Sequence, residues 1–117
     1  MLITILKSKL HHARVTESEL EYQGSLTIDP DLMDEVRLHS YEKILVANMA
    51  NGERLETYAI PGERGSKTIC LNGATAHKGS VGDRLIIFAF AQIEEEDAAS
   101  HKPQVIVLDE NNDIITL

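Results

Sequence analysis

Residues 44–58, ILVANMANGERLETY, give the strongest fold signal in the chain. Two strand-like segments, residues 44–48 and 54–58, flank the pair Asn51-Gly52. An Asn-Gly pair in this position is typical of a tight β-hairpin. The stretch therefore predicts two antiparallel strands joined by a short turn.

Turn residues divide the remaining sequence into short apolar segments. Pro61-Gly62 ends the second strand of the hairpin. Further strands are predicted at residues 67–71, 84–91 and 104–108, with a closing pair around residues 111–112 and 114–115. Several short strands separated by turns are typical of a small barrel and not of a helical bundle. We therefore predict a mainly β fold.

Two short helices are expected to interrupt the strands. Asp29 is a typical N-cap, and Pro30 suits the first position of a helix. The apolar face of this helix would consist of Leu32, Met33 and Val36. A second helix is predicted near Glu94, because the acidic run at residues 94–97 complements the positive end of a helix dipole.

Length, charge and cysteine content limit the class of protein. A chain of 117 residues predicts one domain, residues 1–117, with its own core. Its 19 acidic and 11 basic residues give a net charge of −8, which argues against a nucleic-acid surface. Cys70 is the only cysteine and is expected to be a buried strand residue in a cytoplasmic protein. No apolar run approaches the roughly 20 residues of a membrane span.

Metal and hydrolase sites have weak support in the sequence. The acidic run at residues 94–97 would point around most of a helix, as a solvated surface does. His11 and His12 are adjacent, and neighbouring strand residues face opposite sides, so they would not share one ion. No strand-to-helix nucleophile elbow surrounds any serine. We therefore expect no metal site.

Residues 21–29, EYQGSLTID, have the form of a self-cleavage site placed before a strand and a capped helix. The hydroxyl of Ser25 can attack the carbonyl of Gly24 when the backbone is held in a strained geometry, which glycine tolerates best. Elimination across the resulting ester breaks the chain and leaves dehydroalanine, which hydrolyses to a pyruvoyl group. This interpretation predicts a carbonyl cofactor made from Ser25.

Context distinguishes this Gly-Ser pair from those at residues 65–66 and 79–80, which are typical of turns. The segments that accompany it are Lys9-Leu10-His11, Asn51-Gly52-Glu53-Arg54, Thr57-Tyr58-Ala59-Ile60, Glu63-Arg64-Gly65-Ser66, Asn72-Gly73-Ala74, Ala76-His77 and Val81-Gly82-Asp83. With them, the chain resembles the bacterial aspartate 1-decarboxylase family in register from about Met1 to about Asp109.

The resemblance implies a fold, an activity and an assembly. The fold would be a small six-stranded double-psi β-barrel with short helices, in which residues 81–83 form a typical turn. Cleavage between Gly24 and Ser25 would give a beta chain, residues 1–24, and an alpha chain, residues 25–117. The pyruvoyl enzyme would convert L-aspartate to β-alanine and CO2 for pantothenate synthesis. It would be a homotetramer with active sites between subunits, and a separate maturation protein remains an open alternative.

The substrate itself suggests two further roles. Aspartate keeps one carboxylate while losing the other, and the planar guanidinium of Arg54 suits a carboxylate clamp. Tyr58 lies four residues later on the same face of a regular strand, and its phenol could return a proton to the α-carbon. The alternatives are a surface arginine paired with Glu53 or Glu56, and a tyrosine of the barrel wall.

Other site residues follow from the resemblance alone. Thr57 would assist cleavage and touch substrate, although an ideal strand places it opposite Tyr58, so a bulge or a subunit boundary is required. Thr75 stands where the family more often has alanine. The implied substrate-binding residues are Lys9, Arg54, Thr57, Gly73, Ala74 and Thr75, and the implied pocket residues are His11, Tyr22 and Asn72.

Two rival functions remain open from the sequence. The same chemistry could serve another amino acid, since one extra methylene only shifts the distal carboxylate. An uncleaved barrel could instead act as a binding or assembly module, which an intact-mass measurement would distinguish.

Overall fold

The computed structural model describes residues 1–116 as a strand-rich protein with short helices. The strands are β1 (Leu2–Arg14), β2 (Glu17–Glu19), β3 (Ser25–Ile28), β4 (Lys43–Asn48), β5 (Arg54–Pro61), β6 (Ile69–Asn72), β7 (Arg84–Glu94), β8 (Gln104–Leu108) and β9 (Ile114–Thr116). The α-helix is α1 (Pro30–Glu35), and 3-10 turns span Gly73–Lys78 and Glu95–Ser100. The predicted mainly β class is confirmed.

The strands form one hydrogen-bonded sheet in the order β2-β6-β3-β5-β4-β7-β1-β8-β9. Three neighbouring pairs are parallel, namely β1 with β8, β2 with β6 and β3 with β5. The remaining pairs are antiparallel. The long strand β1 therefore lies inside the sheet, between β7 and β8. Closure into a six-stranded double-psi barrel stays a prediction.

The hairpin predicted around Asn51-Gly52 is confirmed. Strands β4 and β5 pair in regular register from Lys43 with Tyr58 to Ala47 with Arg54. Gly52 has a φ of 76°, a left-handed conformation that glycine adopts without a steric cost. The turn thus sets the register between β4 and β5, and this register determines which side chains of β5 lie on each side of the sheet.

Strand β1 differs from the regular strand expected around His11 and His12. Its register with β7 shifts between His11 and Ala13, and His12 has a φ of 67°. A bulge of this kind turns consecutive side chains toward each other. The two imidazole rings stack with centroids 3.8 Å apart, so the prediction that they face opposite sides is wrong.

The helix predictions are confirmed in one case and corrected in the other. The Asp29 carboxylate accepts a hydrogen bond from the Asp31 N–H at 2.9 Å, as expected of an N-cap. The acidic run after Glu94 forms 3-10 turns and no α-helix. Lys67, predicted to begin a strand, has a φ of 59°, and the strand begins two residues later at Ile69.

Core and surface residues alternate along the central strands. The core cluster includes Leu10, Leu26, Ile28, Ile44, Val46, Ala59, Ile69, Leu71, Leu85, Ile87 and Ala89. The residues between them share the opposite side of the sheet. We call this side, across strands β5, β4, β7 and β1, the outer face. Register places Arg54, Tyr58, Lys43, Leu45, Ile86, Phe88, Lys9 and His11 on it.

Candidate active site

Ser25 opens strand β3 and is buried, with 1% of its surface exposed. Its hydroxyl donates a hydrogen bond to the Gln23 carbonyl oxygen at 3.3 Å. In contrast, Ser66 and Ser80 are exposed turn residues. Burial thus separates the Gly24-Ser25 pair from the other two Gly-Ser pairs, a distinction that local sequence cannot make.

The amide of Asn72 links Ser25 to a neighbouring hydroxyl. Its Nδ2 donates to Ser25 Oγ at 3.1 Å and to Thr27 Oγ1 at 2.7 Å. Antiparallel pairing of β3 with β6 sets Ser25 directly opposite Asn72. Thr27, which the sequence did not single out, shares this contact because it lies two residues beyond Ser25 on the same face of β3.

Gly73 provides a close backbone contact with the loop before Ser25. It has a φ of 60°, and a Cβ built on it would lie 2.6 Å from the Tyr22 carbonyl oxygen and 2.7 Å from the Gly24 nitrogen. Only glycine fits this position. Gly24, by comparison, has no positive φ and has open space around an added Cβ. The left-handed glycine beside the serine is therefore Gly73, and Gly24 does not adopt a left-handed backbone.

Thr75 completes this group of polar residues. Its Oγ1 lies 2.7 Å from the Asn72 carbonyl oxygen and 3.3 Å from that of Ser25. Its side chain is buried, whereas Ala74 is exposed. We call Ser25, Thr27, Asn72, Gly73 and Thr75 the serine cluster.

Register places Tyr58 at the level of Ser25 on the neighbouring strand. Strands β3 and β5 are parallel and Leu26 pairs with Ala59, so the preceding residues, Ser25 and Tyr58, lie at the same level. The Tyr58 ring also lies 6.3 Å from the Tyr41 ring. Thr57 pairs with the core residue Ile44 on the opposite side of β5, and no bulge interrupts this pairing. A β5 bulge therefore does not place Thr57 beside Tyr58.

Arg54 lies on the outer face without a carboxylate partner in residues 1–116. Its guanidinium donates only to the Gly52 carbonyl oxygen, at 3.3 Å. The two acids that could have neutralised it have other partners: Glu53 pairs with Lys78 at 3.1 Å and Glu56 with Lys43 at 3.2 Å. The alternative of a surface ion pair is therefore not what the structure has.

Lys9 and His11 lie on the outer face, on a strand that does not pair with the strand of Ser25. The Lys9 ammonium is 5.8 Å from the centre of the Phe88 ring. In the order of the sheet, strands β5, β4 and β7 lie between β3 and β1. No hydrogen bond or ion pair of the described residues joins Lys9, His11 or Arg54 to Ser25.

The electrostatic surroundings of His11 favour its neutral form. Burial lowers the pKa of His11, and the nearby charges of His12, Lys9 and Arg84 lower it further. Its Nδ1 is buried and has no hydrogen-bond partner within the described chain. Across residues 1–116, no group of three or more His, Cys, Asp or Glu side chains is arranged to hold a metal ion.

Fold and site together define a mainly β protein organised around one buried serine that follows glycine. The family model for aspartate decarboxylase matches residues 1–115. The chain belongs to the aspartate decarboxylase family. It is therefore an enzyme of the carboxy-lyase class, and the family supports decarboxylation of aspartate.

Relatives with the name aspartate 1-decarboxylase cover almost the whole chain. The protein from Clostridium kluyveri is 53% identical over 117 residues, which is 100% of this chain and 92% of the relative. The one from Leptospira biflexa is 54% identical over 113 residues, 96% of each chain. The one from Bacillus licheniformis is 54% identical over 114 residues, 97% of this chain and 90% of the relative. Within residues 1–116, no helix has the length and apolar character needed to span a membrane.

Proposed function

We propose that this chain converts L-aspartate to β-alanine and CO2 with a pyruvoyl group formed from Ser25. The β-alanine would supply pantothenate synthesis. The observation that carries the proposal is the position of Ser25, which directly follows Gly24 and is buried. Its hydroxyl oxygen accepts a hydrogen bond from the Asn72 side-chain amide. The chain that carries this serine is a member of the aspartate decarboxylase family.

The cofactor would arise by cleavage between Gly24 and Ser25. The Ser25 oxygen attacks the Gly24 carbonyl, the C–N bond breaks, and the proton of the hydroxyl passes to the released nitrogen. Loss of the Ser25 α-proton then expels the Gly24 carboxylate and leaves dehydroalanine on residues 25–117. Hydrolysis consumes one water, releases one ammonia and leaves the pyruvoyl group.

The serine cluster fits this role. Asn72 donates to the atom that must lose its proton, and such a donor stabilises negative charge on oxygen. Gly73 keeps free the space beside Gly24 that any Cβ would fill. Thr75 lies next to the carbonyl of residue 25, which would become the second carbonyl of the pyruvoyl group.

The pyruvoyl carbonyl supplies an electron sink for the carbanion left by CO2 loss, a role that no ordinary side chain performs. The other tasks fall to side chains on the outer face. Tyr58, at the level of Ser25, would return a proton to the α-carbon. Arg54, whose guanidinium has no carboxylate partner within residues 1–116, would hold the retained carboxylate. Lys9 would provide a second positive charge.

An assembly with active sites between subunits would bring Lys9 to Ser25. Three strands lie between their strands in the sheet of one chain, so a second copy is the natural source of the missing cation. The outer face is also apolar enough to be covered, because Phe90, Phe88, Leu45 and Ile86 lie partly exposed together. We therefore propose the homotetramer.

Intact mass tests the cleavage. After warming, the unaltered protein should give fragments of residues 1–24 and 25–117, the second with a blocked terminus. Ser25→Ala should remain one folded chain and release no β-alanine from L-aspartate. A chain that stays intact, or a Ser25→Ala variant that is still cut, would contradict the proposal. L-glutamate is the substrate control, because its extra methylene displaces the distal carboxylate.

Mixed assemblies test the shared site. Chains carrying Ser25→Ala and chains carrying Lys9→Ala should each be inactive alone. If each site takes Lys9 from one subunit and Ser25 from another, the coexpressed mixture regains part of the activity. Light scattering should show four chains per particle. A mixture no more active than its components would place both residues in a single-chain site.

A further inference from the structure

Cys70 touches the side of Asn72 that faces away from Ser25. The thiol lies 3.2 Å from Asn72 Oδ1 and is 4% exposed. Cys70 and Asn72 are two residues apart in β6, so they share a face of the strand. Cys70 also pairs in register with Thr27, which lies within the serine cluster. The cysteine is thus a direct neighbour of the amide that holds the Ser25 hydroxyl.

The Asn72 amide could bind its neighbours in either of two orientations. Its oxygen and nitrogen have nearly the same size, so only the surrounding donors and acceptors distinguish them. The hydroxyls of Ser25 and Thr27 and the thiol of Cys70 can each donate or accept. In the structure, the Ser25 hydroxyl donates to the Gln23 carbonyl and the Cys70 S–H donates to Asn72 Oδ1. Both contacts agree with an Asn72 NH2 that faces Ser25.

We propose that Cys70 is a positioning residue for self-cleavage, because its thiol donates to Asn72 Oδ1 and so directs the Asn72 NH2 toward Ser25. This inference rests on the proposed self-processing at Gly24-Ser25 and extends it by one residue. Cys70 acts through Asn72 and does not touch the reacting atoms.

Orientation of the amide matters for the first step of cleavage. With NH2 toward Ser25, the serine proton points to the Gln23 carbonyl and the amide stabilises charge developing on Oγ. In the opposite orientation, Oδ1 would accept a hydrogen bond from the Ser25 hydroxyl. This bond would favour the protonated hydroxyl over the charged oxygen. The two arrangements therefore have opposite effects on loss of the Ser25 proton.

The protonation state of Cys70 agrees with its role as a donor. Burial raises the pKa of the Cys70 thiol, the negative charges of Glu17 and Glu19 raise it further, and a hydrogen bond from the Glu19 backbone N–H only partly offsets them. The thiol therefore keeps its proton at neutral pH. Glu17 and Glu19 belong to β2, which pairs in parallel with β6 alongside Cys70 and Asn72.

Two substitutions at Cys70 distinguish the effect of its hydrogen-bond donor from the effect of its side-chain volume. Cys70→Val keeps similar volume and removes the donor, whereas Cys70→Ser restores a donor. The measurement is the rate of cleavage of the full chain, followed by intact mass on warming, with Tm recorded for each variant. Loss of one net hydrogen bond predicts cleavage roughly two- to tenfold slower for Cys70→Val. Cys70→Ser should cleave at close to the unaltered rate.

A second test asks whether the effect of Cys70 on the cleavage rate requires the Asn72 side chain. In an Asn72→Ala background, the further change Cys70→Val should leave the cleavage rate unchanged, because the amide through which the thiol acts is gone. Cys70→Ala, which lacks a donor and is smaller, replaces Cys70→Val if the Tm shows that valine disturbs packing.

The outcomes distinguish this inference from the function on which it rests. If the unaltered chain is never cut, self-processing itself fails. If the unaltered chain is cut and Cys70→Val is cut equally fast, only the role of Cys70 is overturned. The same holds if Cys70→Ser is as slow as Cys70→Val, because the thiol would then contribute by shape.

Discussion

The serine cluster and the outer face differ in how far one chain completes them. Around Ser25, polar groups meet within hydrogen-bond distance, and Ser25, Asn72 and Thr75 are buried. On the outer face, Lys9 and Arg54 have no mutual contact, and Phe90 is 46% exposed. A reaction confined to the first region needs only the folded chain, whereas a reaction that uses both needs a further surface.

This difference implies that cofactor formation and substrate turnover respond to different substitutions. Changes in the serine cluster should first affect the fraction of cleaved chain. Changes on the outer face should leave cleavage intact and lower turnover per cleaved subunit. The following variants test that division.

Tyr58→Phe should have the largest effect on turnover. It keeps the ring beside Tyr41 and removes the hydroxyl proposed to protonate the α-carbon. General acid catalysis contributes about 10²- to 10⁴-fold, so turnover per cleaved subunit should fall by that range while cleavage proceeds. Mass spectrometry and β-alanine release measure the two quantities. Unchanged turnover by the fully cleaved variant would mean that Tyr58 is not the proton donor and has only a packing role.

Arg54→Ala should mature and then bind aspartate poorly. A lost charge-assisted hydrogen bond costs about 1.5 to 3 kcal/mol, or roughly 10- to 150-fold in affinity. The matched control is Arg64→Ala, because Arg64 pairs with Asp31 and Asp34 beside α1. Steady-state kinetics with L-aspartate should separate the two variants. Equal kinetics would show that Arg54 is not the carboxylate clamp.

Gly73→Ala compared with Gly52→Ala isolates the contact that Gly73 makes with residues 22–24. Both glycines have positive φ, so alanine strains both by about 1–2 kcal/mol. Only at Gly73 would the added Cβ collide with backbone. Cleavage of Gly73→Ala should be about tenfold slower or worse, and that of Gly52→Ala nearly normal. Similar cleavage rates would mean that the loop adapts to the methyl group.

Asp29→Asn should affect stability more than either reaction. Burial raises the pKa of Asp29, but hydrogen bonds from the N–H groups of Asp31, Lys67 and Gly65, and the charge of Arg64, outweigh it and lower the pKa. The carboxylate therefore stabilises the fold above its unfolded pKa of about 3.9, and this contribution is lost as pH falls through the lower folded value.

The measurement is Tm against pH for both proteins. Asp29→Asn should lower the Tm at pH 7 by about 6–12 °C, the shift expected for a loss of about 1.5–3 kcal/mol in a chain of this size. The difference from the unaltered protein should shrink toward pH 3. A difference that stays constant with pH would exclude the charge of Asp29 as its cause.

Local signals predicted the parts of the molecule that local chemistry determines. The turn at Asn51-Gly52 and the cap at Asp29 were predictable because each depends on a few adjacent residues. The bulge at His12 was not predictable, because it depends on how β1 pairs with β7, a strand far away in the sequence.

The candidate site shows the same division. Ser25 and Asn72 are 47 positions apart, and only the pairing of β3 with β6 brings them together. Thr27 and Cys70 carried no motif, so their contacts with Asn72 could be found only from the folded chain. Sequence also placed Arg54 and Tyr58 on one strand face, which the regular register of β5 confirms.

The position of β1 inside the sheet has a consequence for refolding. Both strands of residues 1–24 are hydrogen-bonded to strands of residues 25–117, β1 to β7 and β8 and β2 to β6. After cleavage, the short fragment would remain bound without a covalent link. Once denatured, the two pieces would have to find each other by diffusion, so recovery would depend on protein concentration. The uncut precursor would fold each chain without this bimolecular step, and only the association of its subunits would depend on dilution.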